Sequence, residues 1–135
     1  MKEGRIVVAG GGGFIGGHLV ADLLRRGHTN IWAVDIKPVD QWFQVFDQAV
    51  NVVADLKKRT QCVSVCRGAA EVYNLAADMG GMGFIEHNKA LCMLSVLINT
   101  HLLGAAATPG FAATSMQARP VSITPRSSRL PTCEP

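Results

Sequence analysis

In RIVVA, residues 5–9, every position after Arg5 is apolar and most are β-branched, the pattern of a strand buried on both faces rather than one that alternates. Beginning at Phe14, FIGGHLVADLLRRG places Ile15, Leu19, Leu23 and Leu24 at helical spacing, and Gly27 supplies the stop. NIWAVD (30–35) predicts a second strand. Strand, helix and strand over so short a span make a βαβ unit, whose strands are parallel and whose crossover is right-handed. QWFQVFDQAV (41–50) has no clear period and supports no assignment. VNVVAD (50–55) then predicts a third strand that ends in an acid, and LKKRTQCVSVCRG (56–68) a helix stopped by Gly68. EVYNLAA (71–77) reads as a fourth strand. A long helix follows from Phe84 to Leu103, with Ile85, Leu91, Leu94 and Ile98 among its apolar residues. The chain holds no internal repeat beyond this alternation, which predicts an α/β fold: a Rossmann-like, doubly wound parallel sheet, incomplete at about four strands.

The pattern stops after Gly104. Residues 105–135 contain five of the six prolines, many Ser, Thr and Ala, and no sustained period. Prolines at 109, 120, 125 and 131 would break any helix or central strand. The division expected is a nucleotide-binding domain over 1–104 and a disordered or poorly packed Pro/Ser/Arg-rich C-terminal tail over 105–135.

Composition agrees with one globular domain: 135 residues, 48% hydrophobic, 17% charged. The formal net charge of +3 comes mainly from the tail, where Arg119, Arg126 and Arg129 face the single acid Glu134. The remainder is nearly neutral, so no basic stripe suggests a nucleic-acid partner. No run is long enough for a membrane span, and the charged start MKEGR leads into only four apolar residues before glycines intervene, unlike a signal peptide. Cysteines at 62, 66, 92 and 133 form no CxxC pair, and neither they nor His18, His28, His87 and His101 have metal-ligand spacing. The expectation is ordinary thiols, no metal, and a reducing, cytoplasmic setting.

GGGGFIG places Gly10, Gly13 and Gly16 between the first strand and the first helix. That spacing serves a dinucleotide: the first glycine allows a tight turn, the second a close approach of backbone to pyrophosphate, the third close packing of helix on strand. The helix N-terminus adds free N–H groups and partial positive charge. Asp35 lies at the end of the second strand, where a carboxylate accepts both adenosine ribose hydroxyls and repels a 2′-phosphate, favouring NAD over NADP. A solvated strand-end carboxylate is the alternative. Asp55 has two readings: a hydrogen bond to the adenine amino group, or the N-cap of the helix after it. Tyr73 is the only tyrosine and sits inside an apolar strand, as core.

RIVVAGGGGFIGGHLVADLLRRGH, AVDIK, VVADL and VYNLAADMGGMGFIEHN together resemble the extended short-chain dehydrogenase/reductase family, over about Arg5 to Leu103. The glycine turn and NLAA are shared across that family, whereas AADMGGMGFI is a narrower signature. The resemblance implies an NAD-dependent epimerase acting on a GDP-mannose-like sugar nucleotide through a transient 4-keto intermediate, and a homodimer. It assigns Gly10, Gly13, Phe14, Ile15 and Gly16 to the pyrophosphate turn, and Asp35 to the adenosine ribose. Asp55 and Leu56 fall beside the adenine, and Leu75, Ala76 and Ala77 along the cofactor. Gly80, Gly81 and Met82 would face the sugar nucleotide.

The same family uses a tyrosine activated by a lysine four residues on. This chain has no Tyr-x-x-x-Lys and none of the Ser-Ser-x-Cys segment that precedes it in family members, so no catalytic residue is assigned. The likeness ends after about Leu103, and near residue 110, where family members enter another strand, residues 108–128 read Pro/Ser/Arg-rich instead, as a frame change or an unspliced junction would produce. The expectation is therefore the N-terminal NAD-binding portion of such an epimerase, inactive as this chain. A stand-alone, non-catalytic dinucleotide-binding module is the alternative. A full enzyme using other residues is the weakest reading.

Overall fold

A computed structural model describes residues 4–76 and 89–106. Four strands, β1 (Arg5–Ala9), β2 (Ile31–Asp35), β3 (Val50–Val53) and β4 (Ala69–Asn74), form one parallel sheet in the order β3-β2-β1-β4. Among the described residues three α-helices accompany them: α1 (Phe14–Arg25), α2 (Arg59–Cys66) and α3 (Lys89–Ala106). A 3-10 turn, Val39–Gln41, lies in the connection from β2 to β3.

The apolar run at β1 reflects its place in the sheet. Val7 and Ala9 join Val34, Leu56, Cys62 and Cys66 in one core cluster, whereas Ile6 and Val8 join Val20, Leu23, Ile31 and Trp42 in the other. Alternate residues of one strand thus feed two cores, with α1 on one face and α2 and α3 on the opposite face. Burying a valine such as Val7 or Val8 fully contributes about 1.5–3 kcal/mol. The chain winds outward from β1 to β3, then crosses back to place β4 on the far side of β1. The reversal lies between β1 and β4, and at such a point the turns after neighbouring strands part and leave a crevice.

Element boundaries differ modestly from those the pattern predicts. β4 starts and ends earlier than expected, and α2 is shorter at its first turn. Gly27 and Gly68 take positive φ at the helix stops assigned to them. α3 continues two residues past Gly104, with Ala105 and Ala106 buried. The remainder of the tail, 107–135, lies outside the described residues. Ile15 is a clear departure from the predicted stripe on α1: it is 57% exposed, and the buried face runs through Gly16, Gly17, Val20 and Leu23. Tyr73 is only half buried, packed at the edge of the α1-side core with its hydroxyl on Glu71 Oε2 at 2.9 Å.

Candidate functional site

The turn from β1 to α1 is built around its glycines. Gly10 has φ +81°, and a Cβ there would meet the backbone of Leu75 at 2.7 Å. At Gly16 a Cβ would stand 2.0 Å from the Gly10 carbonyl oxygen, so helix and turn touch with no room for a side chain. Gly13 is different: its Cβ would meet only that same carbonyl, at 3.4 Å, leaving its outer side open. Gly13 is also the N-cap of α1, and no side chain caps this helix. The first N–H groups of the helix, at Phe14, Ile15 and Gly16, therefore lack intrahelical partners and carry the positive end of the dipole.

Asp35 closes β2 beside this turn. Its Oδ2 accepts the Gly12 N–H at 3.1 Å and its Oδ1 accepts the Lys37 N–H at 3.1 Å. Each oxygen keeps a lone pair for a further donor. The main chain of Asp35 also accepts from the Ala54 N–H at 2.9 Å, which draws the end of β3 alongside. Asp55 stands there, and its Oδ1 accepts the Lys57 N–H at 3.0 Å. The N-cap of α2 is Lys58, without a side-chain hydrogen bond, so Asp55 does not cap that helix. The Asp55 N–H is held by Gln61 Oε1, and the Leu56 carbonyl by the Cys62 thiol at 3.1 Å.

These pieces surround a cleft of about 330 Å³ over the C-terminal ends of the strands. Of the residues that the sequence assigns to a cofactor, Gly10, Gly13, Asp35, Asp55, Leu56, Leu75 and Ala76 line it. Gly16 is buried beneath the turn, and Phe14 and Ile15 lie on the exposed first turn of α1, their side chains turned to the surface. Ala77, and the substrate-side residues Gly80, Gly81 and Met82, lie outside the described residues. Sequence reasoning missed Ile36, Lys37, Ala54 and Lys57, which adjoin the assigned acids, and Ile98, which α3 brings in from a distance. Adjacency to Asp35 and Asp55 was the available signal for the first four. None existed for Ile98.

Other candidate chemistry is quiet. Burial pushes the Cys62 and Cys66 thiols up to about 11, helped at Cys62 by the Asp55 charge and at Cys66 by Cys62. Both are free, buried and protonated at neutral pH. Burial, then the bond to Glu71, raises the Tyr73 phenol, which is the reverse of an activated tyrosinate. His18 is a surface ring packed edge-on to Phe14, and His28 is buried. Among the described residues no three His, Cys, Asp or Glu side chains gather as a metal site, and no helix is long and apolar enough to cross a membrane.

A parallel sheet, a glycine turn feeding an uncapped helix, and a carboxylate at the next strand end define a Rossmann-like nucleotide-binding fold. Residues 6–132 match the NAD dependent epimerase/dehydratase family, and the chain belongs to it. It is 40% identical over 108 residues to GDP-mannose 3,5-epimerase 1 of Oryza sativa subsp. japonica, and 37% identical over 108 residues to GDP-mannose 3,5-epimerase of Arabidopsis thaliana. Each match covers 78% of this chain and 28% of the relative, so the chain spans less than a third of their length. Among solved structures, UDP-glucose 4-epimerase of Thermus thermophilus, in complex with NAD, superposes with a TM-score of 0.65 at 26% identity. That match covers 76% of this chain and 33% of the other.

Proposed function

We propose that this domain binds NAD in the cleft, as the cofactor-binding part of a GDP-mannose 3,5-epimerase-like sugar-nucleotide epimerase, and that the 135-residue chain does not itself epimerise a sugar nucleotide. The observation that carries the reading is the geometry of one crevice: an uncapped helix N-terminus over Gly13, with Asp35 and Asp55 along the adjoining strand ends. The pyrophosphate would lie against the first turn of α1 and the open side of Gly13. Asp35 would accept the adenosine ribose hydroxyls, and Asp55 with Leu56 would border the adenine. Leu75 and Ala76, with Ala77, would flank the cofactor toward its reactive end.

Bound NAD supplies hydride acceptance and return at a sugar carbon. The chain's own residues bind and orient it. Epimerisation also needs a group to move protons at the sugar, and the family's Tyr-x-x-x-Lys does not occur in this sequence. Tyr73 is no substitute, because its hydroxyl is committed to Glu71 and its ionisation is disfavoured. On the resemblance, Gly80, Gly81 and Met82 carry the sugar-nucleotide side.

A stand-alone module is less well supported, because α3 presents Met93, Val96, Leu97 and Leu103 to solvent. Several exposed apolar side chains on one helix belong against another surface, which favours the homodimer or a further polypeptide surface over an isolated unit. We place the chain in the cytoplasm, where buried thiols such as Cys62 and Cys66 would stay reduced. Isothermal titration with NAD+, paired with an assay for conversion of GDP-mannose, tests the reading. Saturable NAD+ binding without conversion is expected. Conversion by the purified chain would overturn the second half of the proposal, and a folded chain that gives no heat with NAD+ would overturn the first.

A further inference from the structure

The segment after β2 carries no period in sequence, yet it holds a deeply buried aromatic ring. Trp42 is 7% exposed, between Gln41 and Phe43, which are both exposed. Its ring lies flat against the glycine turn: a Cβ on Gly12 would fall 2.7 Å from Trp42 Cγ. Its indole Nε1–H donates to the Lys37 carbonyl at 2.8 Å. The next residue completes the attachment, since the Phe43 N–H donates to the Gly12 carbonyl at 2.9 Å.

These contacts close a circuit that contains Asp35. Gly12 donates its N–H to Asp35 Oδ2, and Lys37 donates its N–H to Asp35 Oδ1. The carbonyl of Lys37 is held by the Trp42 indole, and the Trp42 ring and the Phe43 N–H return the chain to Gly12. The carboxylate is thus gripped from two sides by backbone groups that are themselves fixed by one side chain. We propose that Trp42 is a positioning residue, which locks the Asp35 carboxylate to the glycine turn and so sets the preference for an adenosine ribose with a free 2′-hydroxyl over a 2′-phosphorylated one. The proposal rests on the NAD reading of the cleft. Its physical basis is that a carboxylate held in one orientation keeps its free lone pairs aimed at the ribose and its charge against a 2′-phosphate. Released, it can turn away, and Lys37, which lines the same cleft, then becomes the nearer charge.

The full chain with Trp42→Phe keeps an aromatic ring beside Gly12 but loses the indole N–H and part of the ring volume, and Gly12→Ala disturbs the same contact from the other side. Without any ligand, residue-resolved amide hydrogen exchange should show the Gly12 and Lys37 amides exchanging at least about tenfold faster in Trp42→Phe. Amides of α2 and β4 should keep their rates. Gly12→Ala should likewise speed the Lys37 amide, although that residue is remote in sequence. By calorimetric titration the parent chain should prefer NAD+ to NADP+, and Trp42→Phe should shrink that ratio at least about fivefold, a change that general loosening would not produce. Unchanged exchange at Lys37, exchange that rises evenly over the whole domain, or equal weakening of both cofactors would overturn the positioning role. If the parent chain binds neither cofactor, the NAD reading fails, and the exchange rates alone still decide whether Trp42 holds Asp35.

Discussion

The carbonyl oxygen of Gly10 stands 2.0 Å from where a Cβ on Gly16 would lie. Backbone of the turn occupies the whole volume that any other residue at position 16 would require. Gly16→Ala forces α1 away from β1, whose residues feed both cores. The expected loss is about 3 kcal/mol, the upper end of the usual range for overpacking. Gly13→Ala, at the open position, should cost well under half as much. Urea denaturation of the two variants checks this. Equal losses would show that the turn yields at both places alike.

Asp35→Asn keeps the shape of the side chain but removes its charge and leaves only one carbonyl acceptor. Charge-assisted hydrogen bonds are roughly twice as strong as neutral ones, so NAD+ affinity should fall about tenfold, or about 1.4 kcal/mol. Calorimetry on the variant gives the answer, and an unchanged dissociation constant would move the ribose elsewhere.

Cys62 and Cys66 make stability fall on the alkaline side. Unfolded, such thiols ionise around 9.0, and folded at about 11, because burial disfavours the thiolate. Between those values the unfolded chain has released protons that the native state retains, which favours unfolding. Their contribution is complete below about pH 9 and is lost as the pH rises toward about 11. Melting temperatures at about pH 8 and about pH 10.5 should differ less in Cys66→Ala than in the parent chain. Alkylation at about pH 7.5 with peptide mapping should label Cys62 and Cys66 only after denaturant is added. Rapid labelling of the native chain would refute their burial.

Met93, Val96, Leu97 and Leu103 are exposed apolar residues of α3, while Leu102, Ala105 and Ala106 on the same helix are buried. Exposed apolar surface of this kind drives association. Val96→Lys with Leu97→Lys should shift the chain toward monomer in sedimentation velocity, with little change in its unfolding midpoint. An unaltered distribution would mean that some other surface mediates any self-association.

The sheet and its central turn were legible because their signals are local. RIVVA shows a strand buried on both faces, and the spacing of Gly13 and Gly16 from Gly10 follows from contacts within one βα turn, although Gly10 itself also abuts Leu75 beyond β4. Asp35 was legible because a strand end fixes where its carboxylate goes. The α1 face was misplaced by a residue for a specific reason: Gly16 and Gly17 belong to the buried stripe but carry no hydropathy, so the periodicity attached itself to Ile15. Trp42 was hidden because its partner is the missing side chain of Gly12, a contact that no composition or period records. Ile98 reaches the cleft only through the packing of α3 along α2, which depends on tertiary placement.

The most direct measurement is a two-dimensional amide NMR titration of the 135-residue chain with NAD+. Saturable shifts are predicted at residues 10–16, 35–37, 54–57 and 75–76, with the 19–26 end of α1 unaffected. A folded chain whose amides do not respond to NAD+, or whose shifts cluster away from the turn between β1 and α1, would contradict the account.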